Sequence, residues 1–211
     1  MINYSILLKD KKNNREFLGP KFFFKNFNSK VVYQKKIKNI FISFGGSDFF
    51  NYGLQISKLI HKFKFNDLRF VINFGPGYKR KKYILIRKKY KKKNIKFLYN
   101  SINYNDYLKK SDLIISGGGI TSYKVISSLK PLLIIPGSKF ETKIGKKMHQ
   151  IKNAFMLKTN RNKLNSNDFL KTIKKLSYEK KYLKKMLICQ KKYFKPNKFN
   201  KAIKIIKNQS I

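Results

Sequence analysis

The chain has 211 residues, 42% of them apolar and spread in short runs, which excludes a disordered tract and a disulfide-built miniprotein. Its 51 Lys+Arg face only 9 Asp+Glu, a formal net charge of +42, which points to a polyanionic partner such as nucleic acid or an anionic surface. The residue set favours another origin for that charge, and nucleic acid is not the expected partner: Lys, Asn, Ile, Phe and Tyr dominate, alanine occurs only at Ala154 and Ala202, and tryptophan is absent. An AT-rich genome favours that residue set and lets lysine fill exposed positions. The single cysteine, Cys189, rules out an intramolecular disulfide and a Cys-based zinc site. No apolar run reaches the roughly 18 residues of a membrane span, and Tyr4 to Leu8 is too short for a signal-peptide core. A cytoplasmic location is expected, without a transmembrane segment; peripheral membrane contact stays open.

Residues 1–36 read as an irregular lead-in or linker, and residues 37–211 as one domain. From residue 37 onward, apolar strands alternate with amphipathic helices. Residues 37–44 form a strand that breaks at Gly45-Gly46. In 51–64, Tyr52, Ile56, Leu59, Ile60 and Phe63 share one helical face. Residues 68–74 form a second strand, closed by Gly75-Pro76-Gly77, and 79–92 a helix with Tyr83, Ile86 and Tyr90 on one side. A third strand over 95–99 precedes a short helix at 105–110. The fourth strand, 113–116, ends in Gly117-Gly118-Gly119, and a helix over 121–130 is stopped by Pro131. A fifth strand at 132–135, a helix at 142–152 and a sixth strand at 155–158 follow; the remainder is helical, with Asn167-Asp168 as a cap.

Repeated β-α units with short buried strands predict an α/β fold: a Rossmann-like parallel sheet with helices on both faces. Ligands of such sheets bind outside the carboxyl ends of the strands. That rule lines up Gly45-Gly46-Ser47-Asp48, the turn after residue 99, Gly117 to Thr121, and the turn after residue 135 along one edge. Glycines leave no side chain in the way of an anion, and the N–H groups that open the next helix are unpaired and positive. The two glycine turns therefore predict a phosphate or diphosphate site.

The succession Leu18-Gly-Pro-Lys-Phe, Ile42-Ser-Phe-Gly-Gly-Ser-Asp48, Ser111-Asp-Leu-Ile-Ile-Ser-Gly-Gly-Gly-Ile-Thr-Ser-Tyr123 and Leu129-Lys-Pro-Leu-Leu-Ile-Ile-Pro136 resembles the UDP-sugar hydrolases of pseudaminic acid biosynthesis. These are relatives of the family 28 glycosyltransferases that build lipid II. The resemblance spans residues 18–157 and implies the C-terminal half of a GT-B fold, holding a UDP-sugar. By position, it sets Gly45, Gly46, Ser47 and Asp48 beside the diphosphate and sugar. It gives Gly118, Gly119 and Thr121 the role of phosphate donors, and it places Ile102 near the uracil. Two positions depart from the family: Lys124 stands where a glutamate grips the ribose, and Phe140-Glu141-Thr142 stands where an Asn-Gln pair holds the sugar. An ammonium donates only, so Lys124 suits a phosphate instead, and Glu141 is the substitute hydroxyl acceptor. No cofactor and no metal are implied. The family's catalytic histidine lies in an N-terminal domain that this sequence lacks, so the resemblance implies hydrolysis or sugar transfer together with such a domain, fused or as a separate subunit.

His61 and His149 lie among lysines on helices and read as solvated. The basic runs in 79–93, with interleaved tyrosines, fit nucleic-acid contacts if the rings are exposed, and a solvated helix face if they are buried. A catalytically decayed remnant of the same enzyme is the remaining alternative.

Overall fold

A computed structural model describes residues 36–193, together with the backbone of Ile2–Asn3, Lys11–Lys12 and Phe17–Leu18. These last three pairs are the short strands β1, β2 and β3, with β3 parallel to β1 and antiparallel to β2. They lie in the segment expected to be irregular. Gly19, Pro20 and Lys21 of the lead-in motif, and the tail beyond residue 193, lie outside the described residues.

The main body is a six-stranded sheet: β4 (Asn39–Ser43), β5 (Arg69–Phe74), β6 (Ile95–Tyr99), β7 (Leu113–Ser116), β8 (Leu132–Ile134) and β9 (Phe155–Met156). All its pairings are parallel, in the order β6-β5-β4-β7-β8-β9. Because β4 is followed by β5 and β6 on one side and by β7 on the other, the order reverses between β4 and β7. Helices α1 (Tyr52–Lys62), α2 (Arg80–Lys89), α3 (Tyr104–Lys110), α4 (Ile120–Ser127) and α5 (Lys139–Gln150) make the crossovers, and α6 (Ser166–Tyr178) and α7 (Lys180–Tyr193) are the last of the described elements.

The sheet is buried on both faces, as a parallel sheet requires. Along β4 the side chains alternate: Ile40 and Ile42 join the core formed with α1, α2 and α6, while Phe41 joins the core formed with α3, α4 and α5. Phe41 is fully buried, and the rings of Tyr104 and Tyr107 lie against it at 5.2 and 6.1 Å between centroids. The carboxylate of Asp112 accepts from the N–H groups of Lys38 and Asn39, both at 2.8 Å, and so ties the entrance of β4 to that of β7.

The expected strands and helices occur in the expected order, with two corrections. The cap of α6 is Asn165, whose side chain accepts from the N–H groups of Asn167 and Asp168 at 2.9 and 3.1 Å. Asn167-Asp168 are therefore the capped residues and not the cap. Asn165→Ala is expected to cost about 1 kcal/mol, measurable by urea unfolding. Helix α5 starts at Lys139, not Thr142, because Ser138 Oγ accepts from the Glu141 N–H at 3.1 Å. Ser138-Lys-Phe-Glu141 is a capping-box sequence, and it puts Glu141 on the first turn.

Candidate functional site

Two turns meet at the point where the strand order reverses. After β4 the backbone turns left-handed at Gly45, with φ of +75°, a region that glycine enters without a Cβ penalty. The chain then folds Asp48 back under α1. Its carboxylate is buried and accepts from the N–H groups of Tyr52 and Gly53 at 2.8 and 2.7 Å. These are donors of the first helical turn, which otherwise lack partners. Burial pushes the Asp48 carboxyl up to about 6, against the lowering effect of those two backbone donors.

After β7 the glycine turn runs beneath the start of α5. A Cβ on Gly118 would sit 2.6 Å from the carbonyl oxygen of Glu141 and 3.0 Å from its Cα, so only glycine fits without displacing backbone. The Glu141 side chain lies over the same turn. Its Oε2 accepts from the Gly137 N–H at 2.7 Å, and its Oε1 would be 2.8 Å from a Cβ on Gly117. Tyr52 closes the floor, its buried hydroxyl donating to the carbonyl of Pro136 at 3.0 Å.

Together these turns enclose a cavity of about 360 Å³ lined by Phe44, Ser47, Asp48, Phe49, Phe50, Tyr52, Gly117, Ile135, Gly137, Ser138 and Glu141. Its size suits a small ligand. Neither Lys nor Arg is in the lining, despite the charge of the chain, so an anion there would be held by backbone N–H groups and hydroxyls.

Of the residues singled out from the sequence, Ser47, Asp48 and Glu141 line this cavity, while Gly45, Gly46, Gly118 and Gly119 belong to the same two turns as Ser47 and Gly117 without lining it. Thr121, half-buried, is the second residue of α4. Ile102 and Lys124 stand farther from the cavity. Ile102 is almost fully exposed beyond β6, at the far edge of the sheet, and Lys124 is exposed on α4. The Asp48 side chain is committed to α1, so the feature it contributes to the cavity is a buried acid at a helix start and not an open ligand. Tyr52 and Phe50 were not anticipated, and Ser138 was expected only as part of the turn after residue 135. Tyr52 read as one more apolar position of a helical stripe, whereas the spacing of Ser138 and Glu141 is the capping-box signal that singles Ser138 out. Among the described residues no group of His, Cys, Asp and Glu is placed to hold a metal ion.

The fold recurs in solved sugar-processing enzymes. The calicheamicin glycosyltransferase superposes with a TM-score of 0.60 at 12% identity over 92% of this chain and 48% of its own. TarM gives 0.62 at 16% identity over 92% and 38%. A UDP-GlcNAc 2-epimerase from Neisseria meningitidis bound to UDP-GlcNAc gives 0.56 at 18% identity over 83% and 45%. At these identities the likeness defines a class of fold: the Rossmann-like C-terminal half of a GT-B protein. Residues 39–208 match the glycosyltransferase family 28 C-terminal domain, and the chain belongs to that family. It spans about half the length or less of these solved structures. No curated protein sequence matches it. No helix among the described residues is long and apolar enough to cross a membrane.

Proposed function

We propose that this domain binds the UDP portion of a nucleotide sugar and serves a hydrolase or glycosyltransferase that also needs an N-terminal domain. The observation that carries the reading is the single cavity formed where both glycine turns meet at the switch point of the sheet, the place where such sheets take ligands. The diphosphate lies along Gly45, Gly46 and Ser47 on one side. On the other it meets the N–H groups at Gly118, Gly119 and Thr121, where the positive end of α4 stabilises charge on the departing UDP. The uracil lies toward the loop bearing Ile102, and Lys124 reaches toward a phosphate. Sugar hydroxyls donate to Glu141, the ionisable lining side chain not already capping a helix. The ordered motifs resemble those of the pseudaminic acid hydrolases, which supports a UDP-sugar as substrate and no cofactor. Catalytic groups come from an N-terminal domain, whether fused or a separate subunit.

Glu141 makes this testable. Its charge repels a bare diphosphate, while its oxygens suit a sugar. Glu141→Gln keeps a carbonyl for the Gly137 N–H, so it is expected to tighten UDP and weaken the UDP-sugar, each by about fivefold, roughly 1 kcal/mol. Thermal unfolding with UDP and with UDP-N-acetylhexosamines reads both changes as shifts in Tm. Equal shifts for the two ligands would remove Glu141 from the sugar site.

A second reading has its own support. The Glu141 carboxylate lies over the very turn that a phosphate would use, and Lys124 has replaced the ribose acceptor. A domain that binds UDP and turns nothing over, even beside an added N-terminal domain, is the result expected of a silenced enzyme.

A further inference from the structure

Helix α2 carries a surface that the nucleotide site does not use. Its buried side is Tyr83 and Ile86, continued by Tyr90 just past its end, with exposures of 8, 5 and 9%. The interleaved tyrosines are therefore core residues and present no ring faces for stacking on bases. At 100° per residue, the opposite side holds Lys81 and Lys88 at its crest, flanked by Ile84 and Leu85. Ile84 is 53% and Leu85 66% exposed. Arg80, Lys82, Arg87 and Lys89 surround them, and the sequence holds no acidic residue between Asp67 and Asp106. Leu85 also borders a groove of about 390 Å³ between α1 and α2, floored by Leu54 and Ile86 and rimmed by Lys58, Lys82 and Lys89.

We propose that α2 is a membrane-docking helix that lies on an anionic bilayer, with Ile84 and Leu85 entering the headgroup–acyl boundary and the surrounding cations meeting lipid phosphates. Charge complementarity selects an anionic partner, and the chemistry of the exposed apolar pair selects lipid over nucleic acid. Aliphatic side chains gain by leaving water for acyl chains, whereas single strands are bound by exposed aromatic rings, which here are buried. Long lysine stems at the crest lie along the apolar boundary and keep their ammonium groups at the phosphates. A bilayer on α2 is independent of what the switch-point cavity binds.

Because a chain of this charge adheres to any polyanion, the test isolates the apolar pair. Full-length protein is sedimented with vesicles of phosphatidylcholine alone and of phosphatidylcholine mixed with phosphatidylglycerol, in low salt and in about 0.5 M salt, where the Debye length is only a few ångström. The expected result is binding to the mixed vesicles alone, partly retained in high salt. The double variant Ile84→Ser/Leu85→Ser, both positions being exposed, is expected to lower partitioning about tenfold or more and to leave heparin and RNA binding unchanged. The chain has no tryptophan, so Leu85→Trp supplies a single reporter, expected to shift to the blue on mixed vesicles and to stay unshifted on RNA. Unchanged partitioning of the double variant, or a tryptophan shift as large on RNA as on vesicles, overturns the proposal.

Discussion

Gly118→Ala is expected to lower UDP affinity about a hundredfold and to destabilise the domain by about 1–3 kcal/mol, the usual cost of forcing a methyl into filled space. The added Cβ meets the carbonyl oxygen and Cα of Glu141, which are backbone atoms and cannot rotate away. Either the glycine turn or the first turn of α5 must move. Both outcomes shift the N–H groups that open α4 relative to Ser47 across the cavity, and oriented donors lose their value within about an ångström of displacement. Gly46→Ala is the matched control for stability, since a Cβ there meets nothing within 4 Å and its φ is not in the left-handed region. Urea unfolding is expected to leave Gly46→Ala close to the parent and to separate Gly118→Ala clearly. Equal stability of the two variants would contradict the close approach of α5.

The second large effect is a pH dependence centred on Asp48. Its folded carboxyl titrates near 6, raised by burial from the ordinary value of 3.8. Between those two values the folded chain holds a proton that the unfolded chain has released, so stability falls as pH rises through that window. The contribution is complete below about pH 4 and lost above about pH 6, with a total of up to about 3 kcal/mol. Asp48→Asn removes the titration, so the difference between parent and variant profiles isolates this one group from the other carboxylates. Urea unfolding at intervals from pH 4 to 7 is expected to show the parent falling relative to Asp48→Asn. A flat difference, or one of opposite sign, contradicts the buried state of the acid. Asp48→Ala removes the same titration and, in addition, both acceptors of the first turn of α1, so it is expected to run about 1 kcal/mol below Asp48→Asn across the same pH range.

Much of the fold was legible from residue pattern because a parallel sheet leaves a strong signature. Strands such as Leu113–Ser116 open on an unbroken apolar run, here Leu113, Ile114 and Ile115, because they are buried on both faces, and glycines or proline mark where many of them end. The boundaries that slipped belong to local hydrogen bonds. The start of α5 turned on Ser138 Oγ, and the cap of α6 on Asn165, one hydroxyl and one amide with no apolar periodicity to reveal them. The two glycine turns were readable as a pair because β-α repetition makes the strands parallel, which puts the carboxyl ends of all of them at one edge. Less readable was the direction of individual side chains. Asp48 looked like a ligand group beside glycines, yet its carboxylate turns inward to cap α1. Ile102 follows a strand at the same edge, but two strands away from the cavity. The tyrosines among the lysines of α2 fitted either face of a helix, and only packing against β5 and β6 shows that they are core.

Calorimetric titration of the purified chain with UDP, in salt high enough to suppress nonspecific anion binding to so basic a protein, tests the central claim most directly. The expected result is saturable one-to-one binding of UDP, with ADP and tripolyphosphate at least about tenfold weaker. Equal affinity for all three, or no heat from UDP with the chain folded, would contradict a UDP site at the glycine turns.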